Sequence, residues 1–230
     1  MTESLFTLYF LLFITLFSAA TSPQPKSSGY AYTYKLWFWG SLAWVVSRKP
    51  VARWIIRRAQ RTPYTHIPGY MNRWWVFNPY QKANGPEIAR IPWLPSIRVH
   101  HILSRDNDRH PHDHPWNART IVLRGWYDET RVSEHGFSET YPEMVILESG
   151  RVHGRGYTGP VNHGAYHQIT DVSHGGVWTL FFTFGYIGTW GFLVDGVKVP
   201  WRDYMAMHPD KPWASDDLSN AIADPDEGRS

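Results

Sequence analysis

The sequence predicts an all-β domain that begins near residue 62 and is preceded by short helices. From Thr62 onward the apolar runs are short and separated by turn residues, a spacing that is typical of β-sandwiches and β-barrels. Asp195-Gly196 separates two further apolar runs and is a strong signal for a tight hairpin. The predicted strands are, in chain order, Trp74–Phe77, Ile97–Leu103, Thr120–Arg124, Met144–Leu147, His167–Thr170, Val177–Phe184 and Gly191–Val194.

The composition limits both the domain count and the available chemistry. A chain of 230 residues has room for one domain of roughly 150 residues with its ends, and such a domain buries about two thirds of its unfolded surface. Aromatic residues make up 16% of the chain, so the core is expected to be rich in rings. The absence of cysteine excludes disulfides, thiolate zinc sites and cysteine nucleophiles.

Residues 1–34 are interpreted as an apolar segment followed by a linker. Leu5–Ala20 is mostly apolar, with two threonines and one serine, and its length as a helix, about 24 Å, is less than the roughly 30 Å hydrocarbon core of a bilayer. No basic residue precedes it, as a secretory signal would require, whereas basic residues follow it. We therefore favour a membrane-associated N-terminus with a cytoplasmic domain over a cytoplasmic or secreted protein. A cleaved signal and a misassigned start site remain alternatives.

Residues 35–61 predict two short helices, Lys35–Ser47 and Val51–Gln60, separated at Pro50. Their faces are basic and rich in tryptophan, and helices of this kind can lie on a membrane surface. The alternative is that the two helices cover the domain that follows. Nucleic acid is not favoured as a partner, because no recognisable nucleic-acid module accompanies the basic residues. The acidic tail, residues 205–230, is expected to be flexible.

The motif His110-Pro-His-Asp-His-Pro-Trp116 carries the strongest chemical signal in the chain. Its three imidazoles occupy alternate positions, which share one face of an extended strand. His110 and His114 both precede prolines, and this favours an extended backbone. Because imidazole is the commonest metal-binding side chain, the motif predicts a metal site.

A second motif follows about fifty residues later in the pattern G-x5-N-x-G-x2-H, formed by Gly156, Asn162, Gly164 and His167. Together with His112, His114 and Gly125, it resembles the two motifs of the cupin superfamily. The resemblance covers about residues 95–195 and implies a single jelly-roll barrel over residues 62–204. More narrowly, the stretch from Arg109 to Gly125 is similar to poorly characterised cupin-like proteins of tailed phages and bacteria.

The chain departs from the cupin pattern where a carboxylate ligand is expected. That position falls at Ala118 or Arg119, and neither side chain can bind a metal as glutamate does. The resemblance, carried over position by position, implies a site of three histidines, similar to that of thiol dioxygenases: His112, His114 and His167. The alternative is a degenerate cupin that keeps the fold without a metal.

Three neutral imidazoles leave the charge of a divalent ion uncompensated, which favours anionic ligands at its open positions. Arg98 and Arg119 are candidates to hold a carboxylate or phosphate, since guanidinium matches both groups. His110 is a candidate fourth ligand or supporting residue, and Asp113 or Asp108 a candidate to orient an imidazole. Tyr166 is expected in the core or at the mouth of the barrel.

The leading hypothesis is a mononuclear metalloprotein that holds Fe, Mn, Ni or Zn, since imidazole suits all four. As an enzyme it would act on a small anionic substrate, by activating dioxygen or by Lewis-acid polarisation. The alternative is a non-catalytic cupin-fold binding or structural module, attached to a membrane or a phage particle, because a fold by itself implies no function. The resemblance also suggests a homodimer.

Overall fold

The computed structural model describes residues 29–64, 66–81, 88–106, 110–133 and 146–209. The predicted apolar segment Leu5–Ala20 and most of the predicted acidic tail lie outside these residues. The helices are α1 (Gly29–Val46), α2 (Lys49–Ala59) and α3 (Trp201–Met207). The strands are β1 (Met71–Phe77), β2 (Tyr80–Gln81), β3 (Ile88–Ala89), β4 (Ser96–Ile102), β5 (Trp116–Arg124), β6 (Trp126–Ser133), β7 (Ile146–Gly154), β8 (Thr158–Val161), β9 (His167–Val172), β10 (Val177–Tyr186), β11 (Gly191–Val194) and β12 (Val197–Pro200).

The all-β prediction is confirmed, because the described residues form antiparallel sheets. Five strands lie in the order β1-β4-β10-β5-β8, and three lie in the order β7-β6-β9. Side chains from both sheets meet in one cluster, with Ile102 and Val177 from the larger sheet against Tyr127 and Ile169 from the smaller one. The space between the sheets is therefore the interior of the barrel.

Alternation along β4 shows how the larger sheet divides its two faces. Arg98, His100 and Ile102 face the interior, where they line a cavity. Val99 lies on the opposite face, which packs against the first two helices. A strand that buries both faces carries an almost continuous run of buried residues, and β4 does so.

Helices α1 and α2 cover the outer face of the five-stranded sheet, as one of the two sequence interpretations expects. Trp39 and Ala43 of α1 and Ile55 of α2 pack against Val99 and the neighbouring strands. Pro50 lies in the first turn of α2, where its missing N–H has no helical partner to lose. The opposite faces of the two helices expose tryptophans: Trp37, Trp44 and Trp54. Among the described residues, no helix combines the length and apolarity that crossing a bilayer requires.

Several element bounds differ from the predictions. Helix α1 begins at Gly29 instead of Lys35, because no proline or glycine interrupts the sequence between Tyr30 and Trp39. Helix α3 extends past residue 205, where the tail was predicted to begin, because Trp201 and Met205 belong to a buried aromatic cluster. Strand β6 was not predicted, since its sequence is mostly polar. The Asp195-Gly196 hairpin is confirmed between β11 and β12.

Gly125 links β5 to β6 in a backbone conformation that would be strained for any larger residue. Its φ is +80°, and a Cβ there would lie 2.5 Å from Ser173 Oγ and 2.8 Å from the carbonyl oxygen of Gly176. We expect Gly125→Ala to lower the free energy of unfolding by about 2–4 kcal/mol, through left-handed backbone strain of roughly 1–2 kcal/mol and a steric clash. Denaturant unfolding measures this change.

Gly69→Ala is the matched control, because Gly69 has a φ of +71° with open space around its Cβ position. It should show the backbone strain alone, about 1–2 kcal/mol. Equal losses in the two variants would contradict the clash at Gly125.

Candidate metal centre

Main-chain pairing brings together the two motifs that carry the histidines. The N–H of His112 donates to the carbonyl of His167 at 2.9 Å, and the N–H of His167 donates back to the carbonyl of His112 at 2.9 Å. His112 also pairs with Phe192 in β11. The extended segment before β5 is therefore attached to the first residue of β9 and to the hairpin.

The three imidazoles predicted as ligands form one cluster: His112, His114 and His167. Each offers a ring nitrogen, and these three atoms lie within 4.8 Å of one another. The Nε2 atoms of His114 and His167 are 3.0 Å apart. That is close to the separation of two adjacent ligand atoms, each about 2.1 Å from one ion. The cluster is thus compatible with a single metal ion.

Glu129 in β6 orients the ring of His167. Its Oε2 accepts a hydrogen bond of 3.0 Å from His167 Nδ1, and its Oε1 accepts hydrogen bonds from Arg131 and His153. Burial by itself would raise the pKa of Glu129, but the hydrogen bonds from His153 and His167 and the charge of Arg131 hold that pKa well below its ordinary value. An ionised carboxylate at Nδ1 leaves Nε2 of His167 as the nitrogen that faces the cluster.

A second buried carboxylate faces His112. Asp106 Oδ2 lies 4.0 Å from His112 Nδ1. The same carboxylate accepts hydrogen bonds from the N–H of Ile169 and the hydroxyl of Tyr70, which fix its position. Carboxylates placed behind metal-binding imidazoles commonly fix the ring orientation and raise the basicity of the ligand nitrogen. Glu129 is hydrogen-bonded to its imidazole, whereas Asp106 lies near His112 without a hydrogen bond to it.

The third imidazole is kept neutral by its surroundings. Burial lowers the pKa of His114 well below its ordinary value, and the neighbouring His167 and Arg98 lower it further. A histidine must be neutral to bind a metal, because the ring nitrogen offers its lone pair only in that form. His114 is therefore ready to act as a ligand near neutral pH.

The cluster opens into a cavity of about 160 Å³ between the two sheets. The wall contributed by the five-stranded sheet is unusually polar. Its inward side chains include Arg73, Arg98, His100, Thr120, Thr179 and Phe181. The cavity thus has three imidazoles on one side and two guanidinium groups on another.

The two arginines proposed for an anionic substrate lie on opposite faces of the large sheet. Arg98 lines the cavity and is buried. Arg119 lies instead against the covering helix, with its guanidinium carbon 4.9 Å from the ring centroid of Trp39. Arg119 also donates to Thr158 Oγ1. The structure therefore brings Arg98, and not Arg119, to the three histidines.

The other residues predicted around the site have structural contacts away from the three rings. His110 Nδ1 pairs with the hydroxyl of Tyr204 at 2.8 Å. His110, the first histidine of the motif, therefore does not join the cluster. Asp113 is fully buried and accepts hydrogen bonds from Lys198 and from two backbone N–H groups. Tyr166 is buried, and its carbonyl accepts the N–H of Val132. Asp108 lies outside the described residues.

Sequence reasoning missed the residues next to the histidines, which are Glu129, Asp106 and His153, and it missed Arg73, which lines the cavity. Glu129 and Arg131 occupy alternate positions in β6, together with the buried Tyr127. Alternate residues of a strand share a face, so the sequence Tyr-x-Glu-x-Arg carries a signal for a polar inward face. A mostly polar strand resembles a loop in sequence, and this resemblance obscures the signal.

The chain is similar in structure to several proteins of known structure. No protein-family model and no curated protein matches the chain. Vicilin from hazelnut (Corylus avellana) matches 55% of this chain at 9% identity and a TM-score of 0.39. Hydroxypropylphosphonic acid epoxidase from S. wedmorenis matches 55% at 16% identity and a TM-score of 0.37, and an oxalate decarboxylase–formate complex from Lactobacillus farciminis matches 64% at 12% identity and a TM-score of 0.40.

These neighbours are cupin-fold proteins. The matches cover 31% of the vicilin chain, 56% of the epoxidase chain and 36% of the decarboxylase chain, so each spans less than two thirds of its neighbour. At these identities and TM-scores the likeness supports no statement about the activity of this chain. The narrower resemblance to proteins of tailed phages stays a prediction.

His100 gives the interior a pH-dependent contribution to stability. Burial lowers the pKa of His100 well below its ordinary value, and Arg98, Arg73 and His114 lower it further. The unfolded chain binds a proton at this histidine below about pH 6.5, whereas the folded chain does not. The free energy of unfolding should therefore fall as the pH drops from 7 to 5, with His100 contributing up to about 1.4 kcal/mol per pH unit.

Urea unfolding at several pH values checks this expectation on the wild type and on His100→Gln. The variant should show a shallower dependence over that range. His174→Gln is the control, because His174 is exposed in a turn. The same pH dependence in the wild type and in His100→Gln would contradict the assignment.

Proposed function

We propose that the protein is a mononuclear metalloprotein in which His112, His114 and His167 hold one divalent ion. One observation supports this most strongly: three ring nitrogens converge within 4.8 Å at the wall of a cavity. The carboxylates of Glu129 and Asp106 face the Nδ1 atoms of two of these rings. Imidazoles that were only in packing contact with one another would not need buried carboxylates beside their outer nitrogens.

The donor set suits Fe, Mn, Ni or Zn. All three ligand atoms are neutral imidazole nitrogens, which bind each of these ions, and the chain has no cysteine to favour softer metals. A bound ion would supply Lewis-acid polarisation of a substrate oxygen or, as iron, a centre for dioxygen activation.

The residues of the cavity favour a small anionic substrate. Arg98 and Arg73 place two positive charges in the cavity that the three histidines also line. The space of about 160 Å³ limits the substrate to a small molecule, because an apolar cavity of roughly 150 Å³ accepts a molecule the size of benzene. The barrel interior would orient this molecule and exclude bulk water around it.

Metal analysis tests the proposal directly. We expect the purified wild type, loaded with Fe, Mn, Ni or Zn and desalted, to retain about one ion per chain by elemental mass spectrometry. His112→Ala, His114→Ala and His167→Ala should each lose most of that ion while circular dichroism shows the fold retained, because each removes a ligand.

His110→Ala is the matched control, since His110 belongs to the same motif but pairs with Tyr204. It should keep its metal. Full occupancy in the three ligand variants would refute the assignment. Absence of metal from the wild type under all four loading conditions would favour a non-catalytic binding module, the function that the missing carboxylate at Ala118 and Arg119 supports.

Glu129→Gln tests the support of His167. The amide keeps the size of the side chain but removes the charge that fixes the Nδ1 proton. We expect metal affinity to fall about 10- to 100-fold, the usual cost of losing a carboxylate behind a metal-binding imidazole. Titration with a competing chelator measures the affinity. Asp171→Asn is the control, because Asp171 is exposed in β9, and its affinity should equal that of the wild type.

A further inference from the structure

Arg98 is a buried cation enclosed by aromatic rings. Only 3% of its surface is exposed. Its guanidinium carbon lies 4.8 Å from the ring centroids of Trp75 and Tyr80 and 5.0 Å from that of Trp116. Rings at these distances stabilise a cation through their faces.

Arg98 has no acid to balance its charge. Within the described parts of the chain, none of the ion pairs includes it, and its Nη2 donates to Thr183 Oγ1. Its buried Nε has no hydrogen-bond partner among these residues. Buried charges in proteins are normally paired, because an unpaired one loses its hydration without compensation. An anion in the cavity would supply the missing partner.

His100 provides a second polar atom without a partner in the same wall. It lies two residues after Arg98 on the inward face of β4, and its buried Nε2 has no hydrogen-bond partner in the described residues. Arg73 lies opposite His100 in the register between β1 and β4 and also lines the cavity. The wall therefore offers two cations and one neutral imidazole.

This polar wall is separated from the histidine cluster by a single ring. The centroid of Phe181 lies 4.9 Å from that of His100 and 5.9 Å from that of His114. Arg98 and the three histidines line the same cavity, so one small molecule in it can contact both.

We propose that Arg98, assisted by His100 and Arg73, binds the carboxylate of a small organic acid whose other end faces the three histidines. This substrate class rests on the proposed function. A planar carboxylate matches the geometry of a guanidinium, and the two groups form paired hydrogen bonds. The cavity volume limits the acid to about six non-hydrogen atoms, by comparison with a benzene-sized cavity.

Calorimetric titration of the full-length protein with acetate, pyruvate, malonate and inorganic phosphate tests the proposal. Both metal-free and metal-loaded protein are used. We expect at least one carboxylate to bind both forms, and Arg98→Gln to weaken that binding about 10- to 100-fold, the loss expected for hydrogen bonds to a charged group. Arg98→Lys keeps the charge without the paired geometry, so its affinity should lie between the two.

Arg119→Gln is the matched control, because Arg119 lies two strands away in the same sheet and on its opposite face. Its affinity should equal that of the wild type. His100→Gln leaves Arg98 in place and should weaken binding by a smaller factor, so it tests the same wall if Arg98→Gln fails to fold. Carboxylate affinity unchanged in Arg98→Lys and His100→Gln would overturn the proposal, and so would tighter binding of phosphate than of every carboxylate.

The two proposals fail in distinguishable ways. A wild type that binds carboxylate through Arg98 but retains no metal would refute the metal site and support the carboxylate subsite. A wild type that retains metal but binds none of the carboxylates in either form would refute the subsite alone.

Discussion

The position of the histidine-bearing segment depends on one buried carboxylate, Asp113. It accepts hydrogen bonds from the backbone N–H groups of Gly164 at 2.9 Å and Gly191 at 2.8 Å, and from the ammonium of Lys198 at 2.7 Å. A buried charge that loses such partners costs several kcal/mol, so these groups are strongly held together. Because Asp113 lies between His112 and His114, the contacts fix both imidazoles against the loop before β9 and the β11–β12 hairpin.

The barrel interior separates its charges between its two sides. Glu129 lies behind His167, and Asp106 lies behind His112, so negative charge backs the imidazole cluster. Arg73 and Arg98 lie on the inward face of the other sheet. A cation held by the imidazoles, as proposed, would be stabilised by the carboxylates behind them, and an anion in the cavity would then have positive charge on both sides. Binding of the cation would therefore strengthen binding of the anion, and the reverse would also hold.

The sequence predicted those parts of the molecule whose signal is local. Residue type and spacing predict the apolar strands, the Asp195-Gly196 hairpin and the cluster of three histidines. The structure contains all of these. The distinction between Arg98 and Arg119 depends on strand parity, since a shift of one residue turns a side chain to the other face. Glu129 was missed because the polar sequence of β6 reads as a loop until its partner strands β7 and β9 are known.

The chain lacks a carboxylate at the position where the cupin pattern has a ligand, but it has a carboxylate behind one of the three imidazoles. Ala118, at the expected ligand position, belongs to a small apolar cluster and brings no charge to the site. Glu129 does not replace it as a ligand, because its oxygens accept hydrogen bonds from His153, Arg131 and His167. The negative charge therefore acts through an imidazole. In the proposed metal site, an ion would keep this carboxylate stabilisation and would have an additional ligand position for the oxygen atoms of a substrate.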